Sequence, residues 1–158
     1  MERTWIFDDL AITVARVDFL DPALAGEPDV RERGVRIEVR PLSSESTGSV
    51  YASPTHTLEP AICRIDFLES APGAADRMHW HPTMPDGEPG DRTFDADMPA
   101  DPVGWLVSYL HGLGVDDVEA SAREIGAAVE GGLAWARTPW PDVEHDERGM
   151  AVVSDARR

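Results

Sequence analysis

The apolar residues of this chain change their spacing part-way along, from a period of two before residue 82 to a helical period after residue 101. Val35 to Leu42 alternates most cleanly. Val35, Ile37 and Val39 stand against Arg36, Glu38 and Arg40, which predicts an antiparallel strand with its charged side in water. Leu10 to Phe19 predicts another strand, with Ile12 and Val14 on one side and Ala11, Thr13, Ala15 and Val17 on the other. Ahead of it, Trp5-Ile6-Phe7 is a short strand or an apolar plug. Ala61 to Leu68 predicts a further strand, Cys63, Ile65 and Phe67 sharing one side and Ile62, Arg64, Asp66 and Leu68 the other. Val50 to Leu58 contains Pro54, which breaks it or confines it to an edge. Asp21 to Gly34, with Pro22, Gly26, Pro28 and the run Arg31-Glu32-Arg33, reads as an exposed connection.

The helical half begins at Asp101-Pro102, an N-cap followed by a proline at the first helical position. Val103, Leu106, Val107 and Leu110 then recur at i, i+3, i+4 and i+7, as far as Gly112 or Gly114. A second helix runs from about Asp116 to Glu130, with Val118, Ala122, Ile125 and Val129 inward. Gly131-Gly132 stops it unless Leu133 to Ala136 continues the pattern. These elements predict one α+β domain over residues 1–141: four or five mostly antiparallel strands, partly barrel-like, covered by two helices. Residues 142–158 read as a polar, flexible tail, with Met150 to Val153 as a short edge strand.

Composition narrows the function classes. The chain carries 30 acidic residues against 14 basic ones, every one of the latter Arg, for a formal net charge of -16. Such a balance repels nucleic acid and anionic membrane surfaces. A lysine-free chain rich in Ala, Arg, Asp, Gly and Pro suggests a bacterial GC-rich coding bias or adaptation to salt. The single cysteine, Cys63, excludes an internal disulfide and reads as a small core residue. With no secretory leader pattern and no run of apolar residues long enough to span a bilayer, the chain is expected to be soluble and cytoplasmic.

The chemistry concentrates in Asp76 to Pro82 and the proline-rich loop that follows. On an extended backbone Arg77, His79 and His81 share one face, and Met78 and Trp80 the other. Two imidazoles about 7 Å apart at Cα can converge on one ion. His79 and His81 are thus the candidate metal ligands, completed by a carboxylate such as Asp86, Glu88 or Asp66, or by His56 from a neighbouring strand. Arg77 on the same face favours an anion instead, so Arg77, Arg92 and the His pair are also candidates for binding a carboxylate or phosphate. A third reading leaves the His residues structural. The acidic residues Asp91, Asp95, Asp97 and Asp101 lack EF-hand order and read as solvated charge or helix caps.

Gly73, five further residues and then His79-Trp80-His81 resemble the opening of the first cupin motif, with Asp86 five positions after His81 in the place of its carboxylate. The resemblance covers Gly73 to Asp86; the second, Gly-rich motif with its His is missing. It implies a bound Zn, Fe, Mn or Ni ion held by the His pair and a carboxylate. The sequence therefore predicts a small protein that binds a divalent metal or a small polar ligand, with metal-dependent catalysis as an extension. The rival is a protein-interaction or homodimerisation module built on exposed aromatics. Trp80 separates the two readings, since packed inward it anchors the His strand.

Overall fold

Each alternating stretch becomes a strand of one antiparallel sheet in the computed structural model, which describes residues 2–152 apart from 22, 23, 25 and 29 and the side chain of residue 116. The strands are β1 (Glu2–Phe7), β2 (Leu10–Leu20), β3 (Arg31–Glu45), β4 (Thr55–Leu58), β5 (Cys63–Glu69) and β6 (Arg77–His81). They make a six-stranded sheet in the order β1-β2-β3-β5-β6, with β4 paired to the far end of β3. The expected α+β class holds, with one strand more than expected and a sheet that is not closed into a barrel. Three helices follow, α1 (Asp97–Ala100), α2 (Pro102–Gly112) and α3 (Asp116–Ala136). Among the described residues no helix is long and apolar enough to cross a membrane.

The helices cover one face. Val35, Ile37, Ile65 and Phe67 are wholly buried there against Leu106, Leu110, Ile125 and Val129. Asp101 caps α2 as expected, its carboxylate accepting from the Gly104 N–H at 2.9 Å. Helix α3 does not stop at Gly131-Gly132. Leu133 and Ala136 continue its buried stripe, and Gly132 lets the helix lie against β3, where a Cβ would sit 2.4 Å from Val35 Cγ2. Here glycine serves close packing rather than helix termination.

Two further expectations are corrected. Arg31 to Gly34 is not part of an exposed connection: it opens β3, pairing with Leu20 to Val17 on one side and, from Arg33, with Glu69 and Leu68 on the other. Its charges find partners, Arg31 gripping both oxygens of Asp18 at 2.8 Å. Gly34 again marks a close approach, since a Cβ would meet the Phe67 carbonyl oxygen at 2.0 Å. The second correction concerns the charged side of β3. Glu38 is only 8% exposed and Asp66, on the adjacent β5, only 2%. This side is lined by ion pairs, Arg36 with Asp66 and Glu38 with both Arg40 and Arg64, which bury the carboxylates under part-exposed guanidinium groups.

At the far edge, residues 149–151 run beside the part of β2 that extends past β1. Leu20 N–H donates to Gly149 O at 2.8 Å and Ala151 N–H to Asp18 O at 2.9 Å. The terminal residues of the expected tail, from 153 on, lie outside the described residues.

Candidate metal centre

Strand register builds the site. On the face away from the helices, Arg36, Asp66 and His79 form one row across β3, β5 and β6, and Glu38, Arg64 and His81 form the next. The alternation that sends Ile65 and Phe67 to the core sends Arg64 and Asp66 to this side, and Trp80 likewise separates His79 from His81. Trp80 turns towards the helices, its ring 5.7 Å from Trp105 and 5.5 Å from Tyr109. It thereby anchors the strand that presents the two imidazoles.

The loop after β6 returns along that strand. Trp80 and Thr93 exchange backbone hydrogen bonds of 3.0 and 2.8 Å, closing the outer edge of β6 at this point. The Gly90 carbonyl accepts from His81 Nδ1 at 2.7 Å, and the Arg77 carbonyl accepts from His79 Nδ1 at 3.1 Å. A carbonyl oxygen only accepts, so each Nδ1 carries the proton and each neutral ring keeps its Nε2 lone pair. Among the described residues neither Nε2 makes a hydrogen bond.

His79 Nε2 lies near the Asp66 carboxylate, with the His81 ring 5.0 Å from that of His79. One ligand atom from each of Asp66, His79 and His81 lies within 4.8 Å of the others, and all three residues are buried. His79 Nε2 and Asp66 Oδ2 lie 3.7 Å apart between two buried side chains, and Asp66 Oδ2 also accepts from Arg36 Nη2 at 3.4 Å. A cation between the nitrogen lone pair and the carboxylate would interact with both. A proton is a poor choice at neutral pH: burial depresses the His79 pKa, with Arg92 and His81 adding to that effect and Asp66 and the Arg77 carbonyl opposing it. Two imidazoles and a carboxylate with their nitrogens locked by carbonyls are a donor set for a divalent first-row metal.

Arg36 sets a limit on the charge of this set. Its Nε donates to Asp66 Oδ1 at 2.7 Å, fixing the carboxylate while offsetting its charge. Asp66, His79 and His81 border a pocket of about 320 Å³ whose lining also includes the apolar Phe19, Leu68 and Pro89 and the charged Glu32, Arg64 and Arg92. Burial raises the Glu32 pKa above the ordinary glutamate value, with Asp66 adding to the rise, against the pull of Arg77, Arg92 and Arg36.

Of the residues singled out in the sequence, the structure brings together His79, His81 and Asp66, with Arg92 lining the same pocket. Asp86 and Glu88 are exposed on the loop, outside the converging group; Asp86 lies in a one-turn 3-10 segment with φ 54°. His56 is exposed on β4, its Nδ1 bonded to Ser44 Oγ at 2.8 Å. Arg77 is exposed and reaches Asp76 at 3.9 Å. Glu32, Arg36 and Arg64 were missed as pocket residues. The trace of Arg36 and Arg64 was present in the complementary charge patterns of β3 and β5, Arg-x-Glu opposite Arg-x-Asp in antiparallel order.

Cys63 is buried, and its Sγ accepts from the Tyr109 hydroxyl at 3.1 Å. Burial raises the thiol pKa, as befits a core residue rather than a nucleophile. No family model matches the chain, and neither a curated protein nor a solved structure matches it.

Proposed function

We propose that this chain is a metal-binding protein in which His79 Nε2, His81 Nε2 and an Asp66 oxygen hold one divalent ion at the wall of the 320 Å³ pocket. The observation that carries the reading is the convergence of three buried side chains, two of them imidazoles whose tautomers are set by the Arg77 and Gly90 carbonyls. Zn, Fe, Mn and Ni all accept such ligands. Three protein ligands leave coordination positions for a small polar molecule in the pocket. A metal so held can polarise a bound group or lower the pKa of water, which is the basis for a metal-dependent enzyme. Metal–ligand distances of about 2.1 Å bring donor atoms to roughly 3 Å from one another, so loading is expected to draw the cluster together.

The test is metal content by mass spectrometry on untagged protein, loaded separately with each of the four ions and dialysed against a weak chelator. About one equivalent should remain in the wild type and be lost in His79→Ala/His81→Ala and in Asp66→Ala. Failure to retain any ion, with no rise in melting temperature on adding them, overturns the reading. A second reading, an interaction module, draws on Val50 and Tyr51, which stand 95% and 93% exposed at the turn before β4. Light scattering on wild type and Val50→Ser/Tyr51→Ser would expose a dimer that depends on this turn.

A further inference from the structure

The polar wall of the pocket has more positive than negative charge, in a chain whose net charge is -16. Arg36, Arg64 and Arg92 line it, against Glu32 and Asp66. Arg36 is bound to Asp66, and Arg64 shares Glu38 with Arg40. Arg92 differs, making no hydrogen bond or ion pair among the described residues, though its charge acts on both Glu32 and His79. A divalent ion on the His pair would raise this local excess by two more charges, with Asp66 already shared. A neutral ligand leaves that excess uncompensated at a partly desolvated site; an anion offsets it.

The apolar members of the lining decide which anion. Phe19, Leu68 and Pro89 add apolar atoms to the lining, and the exposed Phe94 ring stands 6.0 Å from His79. A carbon skeleton gains from such a surface and an inorganic ion does not. At about 320 Å³ the space suits only a small molecule. Building on the metal reading above, we propose that the ligand is a small organic carboxylate, one carboxyl group on the metal's open positions and its charge met by the Arg92 guanidinium. Arg92 is the specificity-determining residue, with a planar fork suited to a carboxylate.

The experiment is isothermal titration calorimetry on the metal-loaded protein with malonate, its neutral diamide malonamide, and inorganic phosphate, in wild type and Arg92→Gln. Metal content is measured on each sample before ligand is added. Malonate is expected to bind at least about tenfold more tightly than malonamide and more tightly than phosphate. Arg92→Gln should weaken malonate by about tenfold or more, the worth of one charged hydrogen-bonded pair, with metal content unchanged. Metal retained while malonamide binds as well as malonate, or while Arg92→Gln binds malonate as well as wild type, overturns the carboxylate proposal and leaves the metal reading intact. Phosphate binding as tightly as malonate overturns the organic class. A protein that retains no metal sinks both readings, and does so at the metal measurement.

Discussion

The two faces of the sheet come from alternate residues of the same strands and are built on opposite principles. On the helix side Ile65 and Phe67 are fully buried in a close-packed apolar layer, Phe67 edge-on to Trp105 at 6.3 Å. On the other side, Arg64 and Asp66 from the same strand sit in rows of alternating charge ending at two imidazoles. The first face gains from excluding water and from non-directional contact. The second gains little from its ion pairs, since desolvation offsets their attraction, but holds its side chains in defined places. One face therefore carries the stability, and the other a pre-arranged set of candidate ligands on rigid strands.

Substitutions across this divide should separate the two roles. The largest loss of stability is expected from Phe67→Ala on the helix face, about 3–5 kcal/mol by urea denaturation, with metal affinity retained in whatever fraction stays folded. A loss under about 1 kcal/mol would mean that the helices are not packed on this face as described. On the other face, His79→Ala/His81→Ala removes two side-chain hydrogen bonds and should cost the metal-free protein about 1 kcal/mol for each. It should abolish metal retention entirely. Stability lost without any change in metal content would break the comparison, making the His pair structural.

A third substitution, Asp18→Asn, probes the charged rim of the helix face. Burial pushes the Asp18 carboxyl up, but Arg31, His145 and Arg33 outweigh it, leaving the pKa below the ordinary aspartate value. The folded value lies below the unfolded one, so this contribution is complete above the unfolded value of about 4 and is lost as pH falls through the folded value. Urea midpoints between pH 7 and 2.5 should therefore fall less steeply in Asp18→Asn than in wild type. An unchanged acid slope would remove Asp18 from the account. The smallest effect is expected from Asp86→Ala and Glu88→Ala, both on the exposed loop, at about 0.5 kcal/mol or less, with metal content untouched. Metal lost in either would return the carboxylate ligand to the loop and displace Asp66.

Much of the fold was legible from spacing. The alternation of Val35, Ile37 and Val39 locates β3, and the i, i+3, i+4, i+7 recurrence of Val103 to Leu110 locates α2 and its packed side. The cap at Asp101 was legible because capping is a contact between residues three apart. The glycines misled. Gly132 looks like a helix stop and Gly34 the end of a loop, yet each is small because another element passes close by. That neighbour is distant in sequence and leaves no mark near the glycine.

The candidate site divides along the same line. The sequence by itself determined that His79 and His81 share a face, because a strand's period of two requires it, and that Trp80 lies opposite. It also fixed an acidic chain with a single cysteine, narrowing partners and excluding an internal disulfide. Only the tertiary structure decided which carboxylate joins the pair. Asp86 is near in sequence but exposed on the loop, whereas Asp66 is brought opposite His79 by the register of β5 on β6. The same register brought Arg36 to Asp66 and set Arg64 across from His81. The return of the Gly90 carbonyl fixed the His81 tautomer. Register is settled by the whole sheet burying its apolar face together, so no short stretch of the chain contains it.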